Sequence, residues 1–240
     1  MPRAPIVWRL ATVRESIDEN AHAKTLVLDV PDWPGHVAGQ HVDVRLTAED
    51  GYQAQRSYSI ASAPEDPTLA LTVELIDDGE VSPYLAEELR PGDQLELRGP
   101  VGGHFTWRVA DGGPLLLVGG GSGLVPLMAM LRHHRARQSN VEAHLLVSAR
   151  SWDDVLYRAE LAAIDGVRYT LTRAQPDDWT GFRGRVDAAM LSEVGPPPSA
   201  DPRIYVCGPT PFVEHVADLL LDLGHPPQAI RAERFGPTGG

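Results

Sequence analysis

The stretch Arg56-Ser57-Tyr58-Ser59-Ile60-Ala61-Ser62 places a guanidinium, an aromatic ring and three hydroxyl side chains within seven residues. Read as a β-strand, it points Arg56, Tyr58 and Ile60 to one face and Ser57, Ser59 and Ala61 to the other, with Arg and Tyr about 7 Å apart along the strand. A guanidinium can grip a pyrophosphate in fork geometry, and a Tyr ring can stack on a flat heterocycle such as an isoalloxazine. A Ser hydroxyl or a backbone N–H can reach that ring's edge. This is equipment for holding a flavin, but the same residues also suit a plain barrel strand with a surface Arg. The rest of the chain has to decide.

Residues 7–13, 24–30, 41–46, 57–61, 69–75, 94–98 and 104–109 read as short strands separated by turn residues, which predicts an antiparallel barrel or sandwich. Residues 82–89 read as a helix set into it, with Ser82 as N-cap and Pro83 at its first position. After Asp111-Gly112-Gly113-Pro114 the grammar changes. Strands at 115–118, 142–147, 167–172 and 204–207 alternate with helices at 124–137, 153–164 and 211–223, the pattern of a parallel sheet covered on both faces. The expected architecture is an antiparallel β-barrel domain over residues 1–110 followed by an α/β parallel-sheet domain over 111–240, with 195–202 as a proline-rich surface loop.

The totals narrow the function. The length of 240 residues suits two domains, and a net charge of −12 argues against a nucleic-acid partner, which needs a basic face. The single Cys207 allows neither an internal disulfide nor an iron-sulfur cluster, and the nine histidines form no metal-binding pattern. The N-terminal residues lack the apolar core of a secretory leader, and the most apolar region, 114–131, is broken by glycines and Pro126. A cytoplasmic protein without membrane insertion, and a monomer, is expected.

Three further motifs accompany the first. Gly79-Glu80-Val81-Ser82 leads into the expected helix at 82–89 and could hand N–H groups and a hydroxyl to a phosphate. Gly119-Gly120-Gly121-Ser122-Gly123-Leu124-Val125-Pro126 joins the first strand and helix of the second domain, where α/β sheets bind ligands; it does not fit GxGxxG, because Pro126 holds the third position. Tyr205-Val206-Cys207-Gly208-Pro209-Thr210 ends another parallel strand, with Cys207 as readily packing as functional.

In this order and spacing the four motifs resemble those of the ferredoxin–NADP reductase family, over essentially the whole chain. RSYS is similar to its R-x-Y-S flavin motif, GEVS to its flavin-phosphate motif, GSGLVP to its nicotinamide loop, and YVCGP to its C-G-P strand end. The resemblance implies that FAD is bound, with Arg56 on the pyrophosphate, Tyr58 stacked on the isoalloxazine, Ser59 near N5, Val81 and Ser82 on phosphate, and Thr72 and Val73 lining the cofactor. It implies that Gly121, Ser122, Gly123, Cys207, Gly208 and Pro209 face the nicotinamide nucleotide. The ending Glu233-Arg234-Phe235-Gly236-Pro237 is similar to flavohaemoglobin reductase modules and oxygenase reductases, where the Phe covers the flavin and the Glu lies nearby. The chain then ends Thr238-Gly239-Gly240 without the terminal aromatic of the plant-type branch. Tyr58, Ser59, Cys207 and Glu233 are thus the implied catalytic set.

The same resemblance implies hydride transfer from nicotinamide to flavin and release of single electrons to a separate acceptor, with ferredoxin foremost. A haem, molybdenum or oxygenase partner is the alternative, and an electron-transfer or regulatory subunit without turnover is a reading of another class. Arg132, His133, His134, Arg135 and Arg137 on one helix are a candidate basic patch for an acidic ferredoxin. NADPH is expected over NADH, because the strand ends carry Arg150 and Thr172-Arg173, with Arg183 and Arg185 following, in place of the acid that bonds an NAD ribose.

Overall fold

The structure, a computed structural model, describes residues 6–76 and 78–236. The ending without a terminal aromatic, Thr238-Gly239-Gly240, lies outside the described residues, as do the first five of the N-terminal residues considered above. Trp8–Asn20 (β1), Ala23–Asp29 (β2), His41–Thr47 (β3), Gln53–Ser59 (β4), Leu69–Glu74 (β5) and Gln94–Val101 (β6) form one antiparallel sheet in the order β4-β3-β6-β1-β2-β5. Its edges meet where Ile60, just past β4, bridges Leu71 of β5, closing a barrel. The closure depends on β1, which pairs with β6 through its first residues and with β2 through the rest, bending at two register shifts. Period-two alternation fills the interior: Ala11 and Val13, Leu26 and Leu28, Val42 and Val44, Leu71 and Val73, and Leu95 and Leu97 are all buried.

The second part runs Leu115–Gly120 (β7), Leu124–Ala136 (α1), Ala143–Ala149 (β8), Arg158–Leu161 (α2), Val167–Leu171 (β9), Phe182–Arg183 (β10), Ala188–Val194 (α3), Arg203–Pro209 (β11), Thr210–Asp222 (α4) and Ile230–Phe235 (β12). Its parallel sheet has the order β10-β9-β8-β7-β11-β12. Strand order reverses between β7 and β11, so a crevice opens at their carboxyl ends. The continuous apolar run of β7 follows from burial on both faces: Leu115 and Leu117 pack into one core, Leu116 and Val118 into another.

The first of those cores does not stop at the sheet. It also takes in Ala23, Ala38, Ala61 and Ala70 from the barrel side, together with Phe105 and Trp107. This explains why residues 104–109 are not the strand expected from their alternation. Phe105 and Trp107 do share a face, but they pack into the core beneath α1: Trp107 donates its indole N–H to the Gly112 carbonyl at 3.1 Å and stacks on His134. A 3₁₀ turn at Val109–Asp111 follows.

Other expectations shift in extent. The helix at 82–89 is a short π-helical turn, Tyr84–Glu88, and Ser82 does not cap it with its side chain. The helix expected at 153–164 reduces to α2, preceded by Tyr157 in the left-handed region at φ 55°. The short β10, α3 and the edge strand β12 were not anticipated. Among the described residues no helix is long and apolar enough to cross a membrane, and no cluster of potential metal ligands is present.

Trp107 is fully buried where the barrel meets the second part, so Trp107→Ala should destabilise the protein by about 3–5 kcal/mol, the range for removing a large aromatic from a packed core. Urea unfolding of the apoprotein measures this, and a loss below about 1 kcal/mol would show that the contact is not part of a continuous core.

Candidate functional site

The crevice between β7 and β11 is shaped by glycine. A Cβ at Gly123 would overlap the Cys207 carbonyl, and one at Gly120 would press on the Phe212 ring at 2.9 Å. The turn Gly121–Gly123 can therefore lie directly against the end of β11, with Gly121 itself at φ +57° and open space beyond it. Ser122 projects from this turn at partial exposure, and Gly208 and Pro209 close the opposite lip. Cys207 pairs with Gly119 on one side and with Glu233 on the other. It is completely buried, and burial, with the nearby Glu233 carboxylate adding to it, pushes its thiol well above the ordinary value. A thiol held neutral in this way is no nucleophile at physiological pH.

The barrel contributes the other wall. Ser59 ends β4 directly opposite His41 of β3, and the His41 ring nitrogen Nδ1 stands 4.0 Å from Glu233 Oε1. Ser59, His41 and Glu233 thus form one neighbourhood where barrel and parallel sheet meet. Ser59 Oγ and Glu233 Oε2 are both buried without a hydrogen-bond partner. Buried polar atoms are rarely left so, and here both belong to groups that could serve the polar edge of a bound ring. His41 had no signal in the sequence beyond an ordinary polar position in a strand. Burial lowers its pKa, against the opposing pull of Asp43, which favours the neutral ring.

Tyr58 lies beside Val42 and Arg56 beside Val44 across the β3/β4 pair, so the two share a face as the alternation predicts. Burial raises the Tyr58 phenol to about 12 despite the Arg56 charge. Arg56 itself is engaged: its guanidinium meets Glu80 Oε2 at 2.7 Å, and Tyr52 donates its hydroxyl proton to the other Glu80 oxygen at 2.7 Å. These two partners, the Tyr52 hydrogen bond first, lower the Glu80 pKa. Glu80 sits inside the GEVS motif and was not singled out as the Arg56 partner. Val81 is buried in the barrel core, while Ser82 accepts the Ile76 N–H at 3.1 Å. Thr72 and Val73 are both buried in β5, and the Thr72 hydroxyl is engaged by Thr25 and by Tyr157.

On the far side of the sheet, backbone hydrogen bonds bring Arg150, Thr172 and Arg173 together. Thr172 N–H donates to Ala149, and Arg173 and Ala174 N–H both donate to the Arg150 carbonyl, at 2.9, 2.9 and 3.1 Å. Arg150 and Arg173 are exposed at the carboxyl ends of β8 and β9, with Arg183 and Arg185 exposed on β10 and just after it. Phe235 closes β12 opposite Pro209, partly buried against the shared core. The basic helical cluster, by contrast, is not a free patch. Arg132 is paired with Glu160, His133 with Glu65, and His134 with the Val141 carbonyl, so only Arg135 and Arg137 remain largely exposed.

Burial raises the Glu233 carboxyl from its usual 4.5 to about 7. The native state then holds a proton that the unfolded chain releases, so this contribution to stability is fully present below about pH 4.5 and is lost as pH rises through about 7. The Glu233 side chain is 24% exposed, so the effect should be on the order of 1 to 3 kcal/mol. Glu233→Gln should remove it: in paired denaturant melts of apoprotein, the variant should gain on wild type by that amount between acid and mildly alkaline pH. Parallel pH profiles would place the carboxylate in water.

The architecture recurs in known proteins. Residues 11–107 match the oxidoreductase FAD-binding domain and residues 117–218 the oxidoreductase NAD-binding domain. A ferredoxin–NADP reductase B of Sorangium cellulosum is 35% identical over 237 residues, covering 93% of this chain and 91% of that protein. The glycine betaine monooxygenase reductase subunit of Chromohalobacter salexigens is 35% identical over 211 residues, covering 83% of this chain; this chain spans only 56% of that protein's length. Among solved structures, the flavohaem-like FAD/NAD-binding domain of nitric oxide dioxygenase from Vibrio cholerae superposes with a TM-score of 0.84 at 26% identity, covering 95% of this chain and 99% of that one. The crevice, the motif order and these matches agree: the chain belongs to the ferredoxin–NADP reductase family of flavoprotein oxidoreductases, with FAD and NAD(P) as its cofactors.

Proposed function

We propose that this chain uses NADPH to reduce bound FAD and passes single electrons to an acceptor outside the chain, with ferredoxin as that acceptor. The observation that carries the reading is the pair of buried, unpartnered atoms, Ser59 Oγ and Glu233 Oε2, at the meeting of the barrel with the glycine-walled crevice. Bound FAD supplies the exchange between two-electron and one-electron chemistry. The protein supplies orientation. Residues 1–110 form the FAD unit and 111–240 the nucleotide unit. Arg56 exchanges Glu80 for the pyrophosphate, Val81 and Ser82 border the phosphates, Tyr58 gives its ring face, and Ser59 donates a hydrogen bond at the reacting edge. Thr72 and Val73 belong to the wall behind. Gly121, Ser122 and Gly123 let the nicotinamide enter against Cys207, Gly208 and Pro209, with Phe235 covering the flavin until the nucleotide arrives.

Arg150, Thr172 and Arg173 form the 2′-phosphate seat, because three backbone hydrogen bonds bring this part of the chain together and leave Arg150 and Arg173 exposed, with neither in an ion pair among the described residues. The monooxygenase-reductase relative supports a second reading, in which the acceptor is an oxygenase component.

Titration with FAD and FMN, followed by anaerobic stopped-flow reduction with NADPH and NADH, tests this. FAD should be held in preference to FMN, and Arg56→Ala should weaken it by on the order of 1.5 to 3 kcal/mol, the value of a charge-assisted contact. Equal retention of the two flavins would sink the pyrophosphate role. Arg173→Ala should lose far more with NADPH than with NADH; equal losses, or a wild type that prefers NADH, would falsify the 2′-phosphate seat. Purified ferredoxin and an oxygenase component, offered side by side to the reduced protein, decide the acceptor.

A further inference from the structure

A ring of hydrogen bonds ties the barrel to the second domain. Thr25 donates to Glu19 Oε1 at 2.6 Å, the Thr25 and Thr72 hydroxyls lie 2.7 Å apart, Thr72 meets the Tyr157 hydroxyl, and the Tyr157 N–H donates to Glu19 Oε2 at 3.2 Å. Each hydroxyl has a single proton. Thr25 gives its own to the carboxylate, so Thr72 must donate to Thr25, and Tyr157 must donate to Thr72. One proton order satisfies the ring, and Glu19 anchors both of its ends. Burial pushes the Tyr157 phenol far up, which keeps it a donor. Tyr157 reaches this place from a backbone at φ 55°, a conformation a bulky residue adopts only when its surroundings hold it there.

Arg132 lies over the same ring. Its guanidinium carbon is 4.9 Å from the Tyr157 ring centroid, and it donates to the Glu160 carboxylate at 2.6 Å and to the Ala61 carbonyl at 2.7 Å. Ala61 follows Ser59 by two residues on the same extended run, while Arg132 sits on α1, whose first residue, Leu124, directly follows the Gly121–Gly123 turn. From Leu124 to Arg132 the helix spans about 12 Å and cannot shorten. One end of this strut therefore carries the loop of the nucleotide domain, and the other grips the barrel strand that carries Ser59.

We propose that Arg132 and Tyr157 are positioning residues, a clamp across the two domains that fixes the loop at 121–123 relative to Ser59 and so sets the separation over which hydride passes. The proposal rests on the reading of the crevice given above. Neither residue touches the reacting rings; both act through α1 and the strand end. Hydride transfer is steeply sensitive to sub-ångström displacement, whereas binding of each cofactor depends on one domain's contacts at a time.

Arg132→Lys keeps the charge but cannot hold Glu160 in a fork and the Ala61 carbonyl together. Single-turnover reduction of the FAD-loaded protein by NADPH should fall roughly tenfold or more, while the dissociation constants for FAD and NADP⁺ stay within about twofold. The primary deuterium isotope effect with C4-deuterated nucleotide should rise. In the apoprotein, amide exchange at residues 60–62 and 124–132 should accelerate. Tyr157→Phe, which removes only the donor to Thr72, should shift all three in the same direction by less, and it serves if the Lys variant does not fold. Arg45→Lys is the control, since it loosens another forked arginine–carboxylate pair, at 2.9 Å, on the barrel wall away from the crevice. The clamp is overturned if both variants match that control in rate, isotope effect and exchange. If wild type binds no FAD, the flavin reading fails, and exchange in the apoprotein alone decides the clamp.

Discussion

The close approach of the Gly123 backbone to the Cys207 carbonyl is the constraint on which the site depends. A side chain at position 123 would part the turn after β7 from the end of β11 and fill the crevice that the reversal of strand order opens. Because β7 and β11 are buried on both faces, the sheet cannot yield to make room. The glycines therefore do more than permit a turn. They let two strand ends and one helix start share a surface made of backbone, to which a flat ligand can come close.

That surface would mean little if the barrel moved freely against it. The core under α1 is built from both parts of the chain, with alanines on the barrel side and Phe105 and Trp107 wedged between. Small residues bring α1 near the barrel wall, and the two aromatics fill the corner that remains. The Tyr205 hydroxyl donates to the Thr106 carbonyl at 2.7 Å, which adds a polar tie from the heart of the parallel sheet to the connecting segment. Strand ends that belong to separate sheets are in this way held as parts of one body.

Much of this was legible in the sequence, for physical reasons that also mark where reading fails. Alternation announced barrel strands such as β6 because they have one wet face, and the unbroken Leu115–Val118 run announced a strand with none. The motif residues Ser59 and Cys207 lie near strand ends, paired with His41 and Glu233 respectively, where topology rather than local propensity decides who meets whom. The segment at 104–109 misled because alternating burial looks the same whether a strand or a helix supplies the cover. The edge strand β12 was hidden because Ile230 and Ala232 alternate with charged residues in a stretch too short to stand out. The contacts of His41, Glu80 and Tyr157 carried no signal, since each lies with a partner more than twenty residues away in sequence. The basic cluster on α1 differs in the opposite sense: it is dense in sequence, but Arg132 and His133 are paired in space with Glu160 and Glu65, and His134 is bonded to a backbone carbonyl.

The distribution of charge along the proposed ligand path follows one plan. Guanidiniums stand at its two extremities, Arg56 on the barrel and Arg150 with Arg173 at the ends of β8 and β9, where phosphates would be held. Between them burial shifts the ionisable groups toward their neutral forms: the Cys207 thiol is driven up, the His41 imidazole down, and the Glu233 carboxyl up to about 7, where it carries only part of its charge near neutral pH. A fixed anion in this middle region would repel the negative charge that hydride brings, and a fixed cation would trap it. Phosphate grip at the ends and reduced charge at the centre would let binding energy be gathered far from the reacting atoms and used to orient them. An overall charge of −12 is compatible with this because the repulsion it creates is local to the surface and screened by salt, while the arginine seats act at contact distance.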